Sequence, residues 1–507
     1  MQERLKAAPH ESAFSTGHLQ KNIGMRAVSG GIVTGLSQGI RLLFYLAMIA
    51  IMARMLAPPD FGLVAMVAPL VSLLRLLRES GLSVATIQRD SITHAQVSNL
   101  FWINVALGIL TTLVGIACAP LLAWFFRDQR LVGVTVFLSL SFIIGSLCVQ
   151  HVALLNREMR FKAIGAINII SVASGLVTAV VMASLGFGYW SLVGSQLAAA
   201  LTETVFAWGL SGWRPQWLKA RSGTRSMLHF GASLTFSTVA RRLATSADTL
   251  LIGRYYDAAA LGVYSRAGVL IMGPLDQLLQ PFDAVVLPLL SRLRQEPERY
   301  KKTFLQILNG MALVCFPAAG VLVGLSTPLV LLLLGSRWIE VAPLFALSSA
   351  AVISYPMVFA STLLLTTQGR NRDIIVSGLV VSLTTVAMVL IGLPFGLTAV
   401  AFFAAFGGLL LRLPIQYYIV GKSGPVGRAD LFRVVLNHLH LWVAAGLAAY
   451  LPQVVFPQAH FMVQAIVGGF LGVATAALLV RIVPSHWREV RTCVDIVKQT
   501  LTKRASV

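Results

Sequence analysis

Charge is scarce in this chain. Asp, Glu, Lys and Arg make up 12% of its 507 residues, about half the roughly 25% of soluble globular domains. That excludes an ordinary water-exposed surface. Acid is scarcer than base, with 19 Asp+Glu against 40 Lys+Arg and a net charge of +21. In a soluble protein such a surplus would point to nucleic acid. Here 57% of residues are hydrophobic, and basic residues collect in the cytoplasmic loops of membrane proteins, so no nucleic-acid partner is expected. Cysteine is scarce too. Cys118, Cys148, Cys315 and Cys493 form no CxxC pair, which excludes a disulfide framework or a cysteine-based metal site. A Walker A sequence is missing, and with it ATP hydrolysis by that route. No connection between apolar runs is long enough to fold by itself, so catalysis on a soluble domain is excluded, and no cofactor is expected.

What is present is apolar sequence in long runs. About twenty such residues suffice for one membrane span. Spans are predicted near 25–54, 58–83, 96–125, 131–154, 162–185, 189–211, 226–253, 258–290, 303–333, 340–366, 373–393, 395–420, 431–452 and 461–483. The expected fold is an all-α membrane protein of about fourteen transmembrane helices. The polar first 23 residues hold no short apolar core with a cleavage site, so no leader is expected. Alternate loops test the topology. Arg54, Arg127, Arg130, Arg254 and Arg337 fall on one side, and Arg41, Arg241, Arg242, Arg266 and Arg412 fall within spans. The other thirty basic residues fall on the opposite side. That asymmetry places both termini in the cytoplasm.

The chain also repeats itself. Gly31, Ser37, Arg41, Leu43, Ala47, Arg54 and Gly62 are matched 200 residues later by Gly231, Ser237, Arg241, Leu243, Ala247, Arg254 and Gly262. A second match has an offset of 208, placing Lys162, Phe187 and Gly188 on Arg370, Phe395 and Gly396. The expected organisation is a cytoplasmic segment 1–24, six-helix lobes at 25–215 and 226–421, an additional hairpin at 431–483 and a cytoplasmic tail at 484–507. Pseudo-symmetric lobes of this kind are a transporter architecture, with the substrate site between the halves.

The residues within spans carry the chemistry. Arg41 lies about 15 residues, or roughly 22 Å, from the cytoplasmic end of its helix. Ser37, Gln38 and Tyr45 share its polar stripe. Arg241 is similarly deep, with Ser237 and Arg242 near it. Arg266 follows on the next span. A charge at that depth is costly unless it faces water or a partner. These residues are therefore either the lining of a cationic cavity or halves of interhelical ion pairs. Glu203, Asp248 and Asp276 are intramembrane carboxylates. They are candidates for ion coupling or for pairing with arginine, and Asp248 with Arg266 is one such pair. His438 and His440 lie two apart on a helix and point in different directions, a poor metal pair.

Several segments resemble the polysaccharide transporter family, the Wzx-like flippases of the multidrug/oligosaccharidyl-lipid/polysaccharide superfamily. They are Arg54-Met-Leu-Ala-Pro-Pro-Asp-Phe-Gly62, Ile252 to Tyr264, Val286 to Arg292 and Gly186 to Leu192. The resemblance implies two six-helix lobes around a cavity that opens alternately to each side of a bacterial inner membrane. It implies a substrate of undecaprenyl pyrophosphate bearing an oligosaccharide repeat unit, for O-antigen, capsule or exopolysaccharide synthesis. Polymerase and chain-length proteins would be pathway partners. The alternatives are a lipid II flippase, a multidrug exporter of the same fold, and a membrane polymerase or ligase. The last typically needs a large external loop, which this sequence lacks.

Overall fold

The computed structural model describes residues 23–79, 83, 86–87, 92–217 and 246–491, and for 23–34, 36, 78–79 and 276–285 the backbone alone. Among the described residues every regular element is helical. The chain divides into two compact units, Met1–Gly262 and Val263–Val507.

The first unit contains α1 (Ile23–Met55), α2 (Pro58–Glu79), α3 (His94–Phe126), α4 (Arg130–Ser146), α5 (Val149–Arg157), α6 (Phe161–Ser184), α7 (Trp190–Ser211) and α8 (Ala247–Tyr255). Local chemistry sets several boundaries. Thr93 starts α3 by accepting a hydrogen bond from the Gln96 amide at 3.2 Å, while the Gln96 side chain accepts from the Thr93 amide at 3.0 Å. This reciprocal box satisfies two amides that the first helical turn leaves open. α1 packs on α6, α6 on α7, and α3 on α4. Beyond α7 the chain is pinned back onto α3. The Trp102 indole donates to the Gln216 carbonyl at 2.8 Å, and Trp217 stacks on Trp102.

The second unit begins inside α9 (Ala258–Arg292). It continues with α10 (Pro297–Gly324), α11 (Ser326–Leu333), α12 (Val341–Ala351), α13 (Tyr355–Thr367), α14 (Asn371–Gly392), α15 (Leu397–Gly407), α16 (Leu413–Val420), α17 (Arg428–Val455) and α18 (Phe461–Ile482). A π-helical stretch, Gly408–Arg412, joins α15 to α16. The hairpin of α17 and α18 packs closely on α10. A Cβ at Gly320 would strike the Trp442 carbonyl, and one at Gly324 the Gly446 carbonyl. Small residues at such crossings let membrane helices associate through close packing.

Among the described residues eleven helices are long and apolar enough to cross a membrane, or twelve if α4 and α5, bent by 41°, are counted as one span. The expectation of fourteen differs by two. One is α7, which is long enough but has its apolar run diluted by Gln196, Thr202, Glu203 and Thr204. The other is the run 226–253, most of which lies outside the described residues. The run 303–333 is broken at Leu325 into α10 and α11.

Repeat-related segments share their backbone chemistry. At the α1–α2 link the Leu56 amide donates to the Met52 carbonyl at 2.9 Å. At the α8–α9 link the Tyr256 amide donates to the Ile252 carbonyl at the same distance, again 200 residues on. The two links also touch. A Cβ at Gly62 would fall on the Ala258 carbonyl, and one at Gly262 on the Pro58 carbonyl. This contact explains why residues up to Gly262 belong with the first unit. The later match has a different register from the expected 208. The Arg160 amide donates to Leu155 and the Arg370 amide to Leu365, both at 2.9 Å. The residues before them, Met159 and Gly369, both have positive φ. The backbone therefore equates Arg370 with Arg160, an offset of 210, rather than with Lys162.

Candidate functional site

The expected site is built on α1, which presents two exposed faces. At about 100° per residue, Gly35, Gly39 and Leu43 fall on one side and Arg41 about 160° from Leu43. Leu43 is 68% exposed, and added methyl groups at Gly35 and Gly39 would meet nothing within 4 Å. This is an apolar face suited to lipid. Arg41 is also exposed, but on the other side, inside the apolar span Ser37–Met55. Ser37, Gln38 and Tyr45 flank it and are half-buried. The Gln38 side-chain oxygen is buried without a hydrogen bond.

Among the described residues nothing hydrogen-bonds or ion-pairs with Arg41. The ion-pair reading of this residue therefore has no partner there. An exposed guanidinium within a span must face water, a polar ligand or the headgroup region, because hydrocarbon gives it no hydrogen bonds. Its planar fork matches phosphate oxygens two at a time.

The other expected residues are placed less fully. Ser237, Arg241 and Arg242 lie outside the described residues. Arg266 lies on α9 and is half-buried. Glu203 is half-buried on α7. Asp248 lies in the first turn of α8, where one carboxylate oxygen accepts from the Thr249 amide at 2.7 Å and its hydroxyl at 3.3 Å. Asp276 belongs to α9, with its side chain outside the described residues.

Three arrangements were not anticipated. Arg157 is buried and donates to the Thr86 and Ile87 carbonyls at 3.1 and 3.4 Å, fixing the segment after α2. Arg370 donates to the carbonyls of Ile419, Val420 and Ser423 at 2.7 to 2.9 Å, closing the end of α16. Arg412 lies in the π-helical turn and donates to the Thr385 hydroxyl at 3.2 Å. The available signals were basic residues at span ends and Gly408, whose missing side chain leaves room for the Arg412 guanidinium.

Comparison with known proteins places this geometry in a family. Residues 51–343 match the family model described as polysaccharide biosynthesis protein. The chain is 27% identical over 275 residues to the teichuronic acid biosynthesis protein TuaB of Bacillus subtilis, covering 53% of this chain and 56% of TuaB. It is 26% identical over 328 residues to the lipopolysaccharide biosynthesis protein WzxC of Escherichia coli, covering 64% and 66%. It is 25% identical over 299 residues to the succinoglycan biosynthesis transport protein ExoT of Rhizobium meliloti, covering 59% and 60%. The matched segments thus span just over half to just under two thirds of these relatives' own lengths. The solved structure of the lipid II flippase MurJ, in an inward closed conformation, aligns with a TM-score of 0.68 at 14% identity, covering 90% of this chain and 99% of that chain. At that identity the likeness shows a shared all-α fold and nothing of the cargo. ExoT alone of these three relatives is named a transport protein. With more than half of its length matched by the family model, the chain belongs to the polysaccharide biosynthesis protein family.

Proposed function

We propose that this protein flips an undecaprenyl-pyrophosphate-linked oligosaccharide repeat unit across the bacterial inner membrane by alternating access. The observation that carries the reading is Arg41, exposed within an apolar span on the side away from the apolar face of α1. A pyrophosphate supplies the anion such a residue needs, and arginine binds it through charge-assisted, forked hydrogen bonds. Ser37, Gln38 and Tyr45 offer hydroxyl and amide groups to the sugar. In this proposal Arg241, Arg242, Ser237 and Arg266 supply further groups that bind the substrate. Glu203, Asp248 and Asp276 are its ion-coupling carboxylates. Both termini lie in the cytoplasm, and polymerase and chain-length proteins take the product onward. The family and the relatives named for surface polysaccharides support this substrate class.

The test is Arg41→Ala and Arg41→Lys, in a host dependent on this protein for its surface polysaccharide. The expected result is a drop of tenfold or more for alanine at unchanged protein level. Lysine should give partial recovery, because it keeps the charge but loses the fork. Full export by Arg41→Ala would overturn the cationic-site proposal.

A further inference from the structure

The histidine that pairs poorly with its sequence neighbour has better partners elsewhere. His438 sits on α17, and residues 484–491 form a helical turn beyond α18 that brings His486 and Glu489 beside it. His438 and His486 are both essentially fully buried. The His438 Nε2 lies 3.4 Å from the Glu489 carboxylate, and the His486 Nδ1 lies 3.5 Å from the same oxygen. One potential ligand atom from each of the three residues lies within 4.8 Å of the others.

The protons of this cluster leave a gap. The His438 Nδ1 is 2.8 Å from the Val434 carbonyl. A carbonyl only accepts, so Nδ1 carries the hydrogen, and Nε2 is the ring nitrogen turned toward Glu489. The His438 Nε2, both nitrogens of His486 and the Glu489 oxygen facing them make no hydrogen bond. Buried polar atoms normally have partners, and leaving them without any is costly. A metal cation among the three groups would supply the missing partner. Fixing the remote ring nitrogen on a backbone carbonyl is also how metal-binding histidines are commonly oriented.

We propose that His438, His486 and Glu489 bind a divalent transition-metal ion, with Zn²⁺ the best match to the donor set. Zinc bonds of about 2.0–2.2 Å in tetrahedral geometry put neighbouring ligand atoms about 3.3–3.5 Å apart, which matches the two distances above. The Glu489 side chain is 24% exposed, leaving access for water as the fourth ligand. His440 is exposed and stacks on His486 at 5.2 Å, so it lies outside the ligand set. The ion would staple the segment after α18 to α17, a structural role separate from substrate handling.

The experiment uses the full chain in detergent, purified with an affinity tag free of histidine, loaded with Zn²⁺ and passed through gel filtration. One zinc per chain is expected by elemental analysis. His486→Ala and Glu489→Gln should each weaken zinc binding by tenfold or more, with unchanged elution and helical circular dichroism. His440→Ala should retain the metal. Wild-type protein that retains no zinc, or a His486→Ala variant that binds it as well as wild type, would overturn the proposal.

Discussion

The turns before α6 and α14 have one backbone and two sets of side-chain work. Both end a helix with a residue at positive φ, Met159 at 55° and Gly369 at 68°, and both follow it with an arginine. Arg370 lies largely buried, pairs with Asp373 at 2.7 Å and ties three carbonyls at the end of α16. Arg160 is 45% exposed and, among the described residues, pairs only with Glu158, at 3.5 Å. A repeat can therefore keep its hydrogen-bonded frame while one copy of a side chain becomes structural and the other stays peripheral.

The largest expected effect separates these arginines. Arg370→Ala leaves three carbonyls without their donor, at roughly 1–3 kcal/mol for each one kept from water, and should lower the thermal midpoint and the yield of monodisperse protein. Arg160→Ala should cost only a few tenths of a kcal/mol, as exposed ion pairs do. Equal losses in a detergent melting assay would show that the two turns carry the same load.

Next in size is the turn residue itself. Gly369→Ala should destabilise by about 1 kcal/mol, because a side chain is strained at positive φ. Met159→Gly removes that strain and should be neutral or stabilising by up to about 1 kcal/mol. The same melting assay reads both, and a large loss in Met159→Gly would mean that its side chain packs more strongly than its backbone is strained.

The smallest effect concerns pH. Asp128 and Arg130 form the same two-apart ion pair as Glu158 and Arg160, but tighter, at 2.7 Å. The hydrogen bond from Arg130 holds the Asp128 carboxyl below its ordinary range. A lowered folded pKa gives stability that is present above the unfolded value of about 4 and is lost as pH falls through the folded one. Arg130 is about half exposed, so screening leaves a few tenths of a kcal/mol. Wild type and Asp128→Asn should therefore converge in melting temperature below about pH 4. A gap unchanged with pH would remove the ion pair as its cause.

Much of this fold is legible in sequence because lipid demands apolar length and backbone hydrogen bonds closed within each helix. The order of spans follows from those two requirements. Arg41 is conspicuous for the same reason, since a charge inside a span stands out. The α15–α16 link was not legible: a π-helical turn is a one-residue change of register that leaves hydropathy untouched. The Arg160 and Arg370 equivalence was hidden by length differences between the copies. The neighbours of His438 were not legible, because spacing along one helix says nothing about His486, 48 positions later.

The crossing of Gly62 and Gly262 has a genetic consequence. Ordinarily a residue that becomes too large can be relieved by shrinking the one it strikes. Here the struck atoms are the carbonyls of Ala258 and Pro58, and every amino acid has a carbonyl. No codon change at those contacting positions can make room, so a lesion at either glycine is repaired only by reversion or by moving a whole helix.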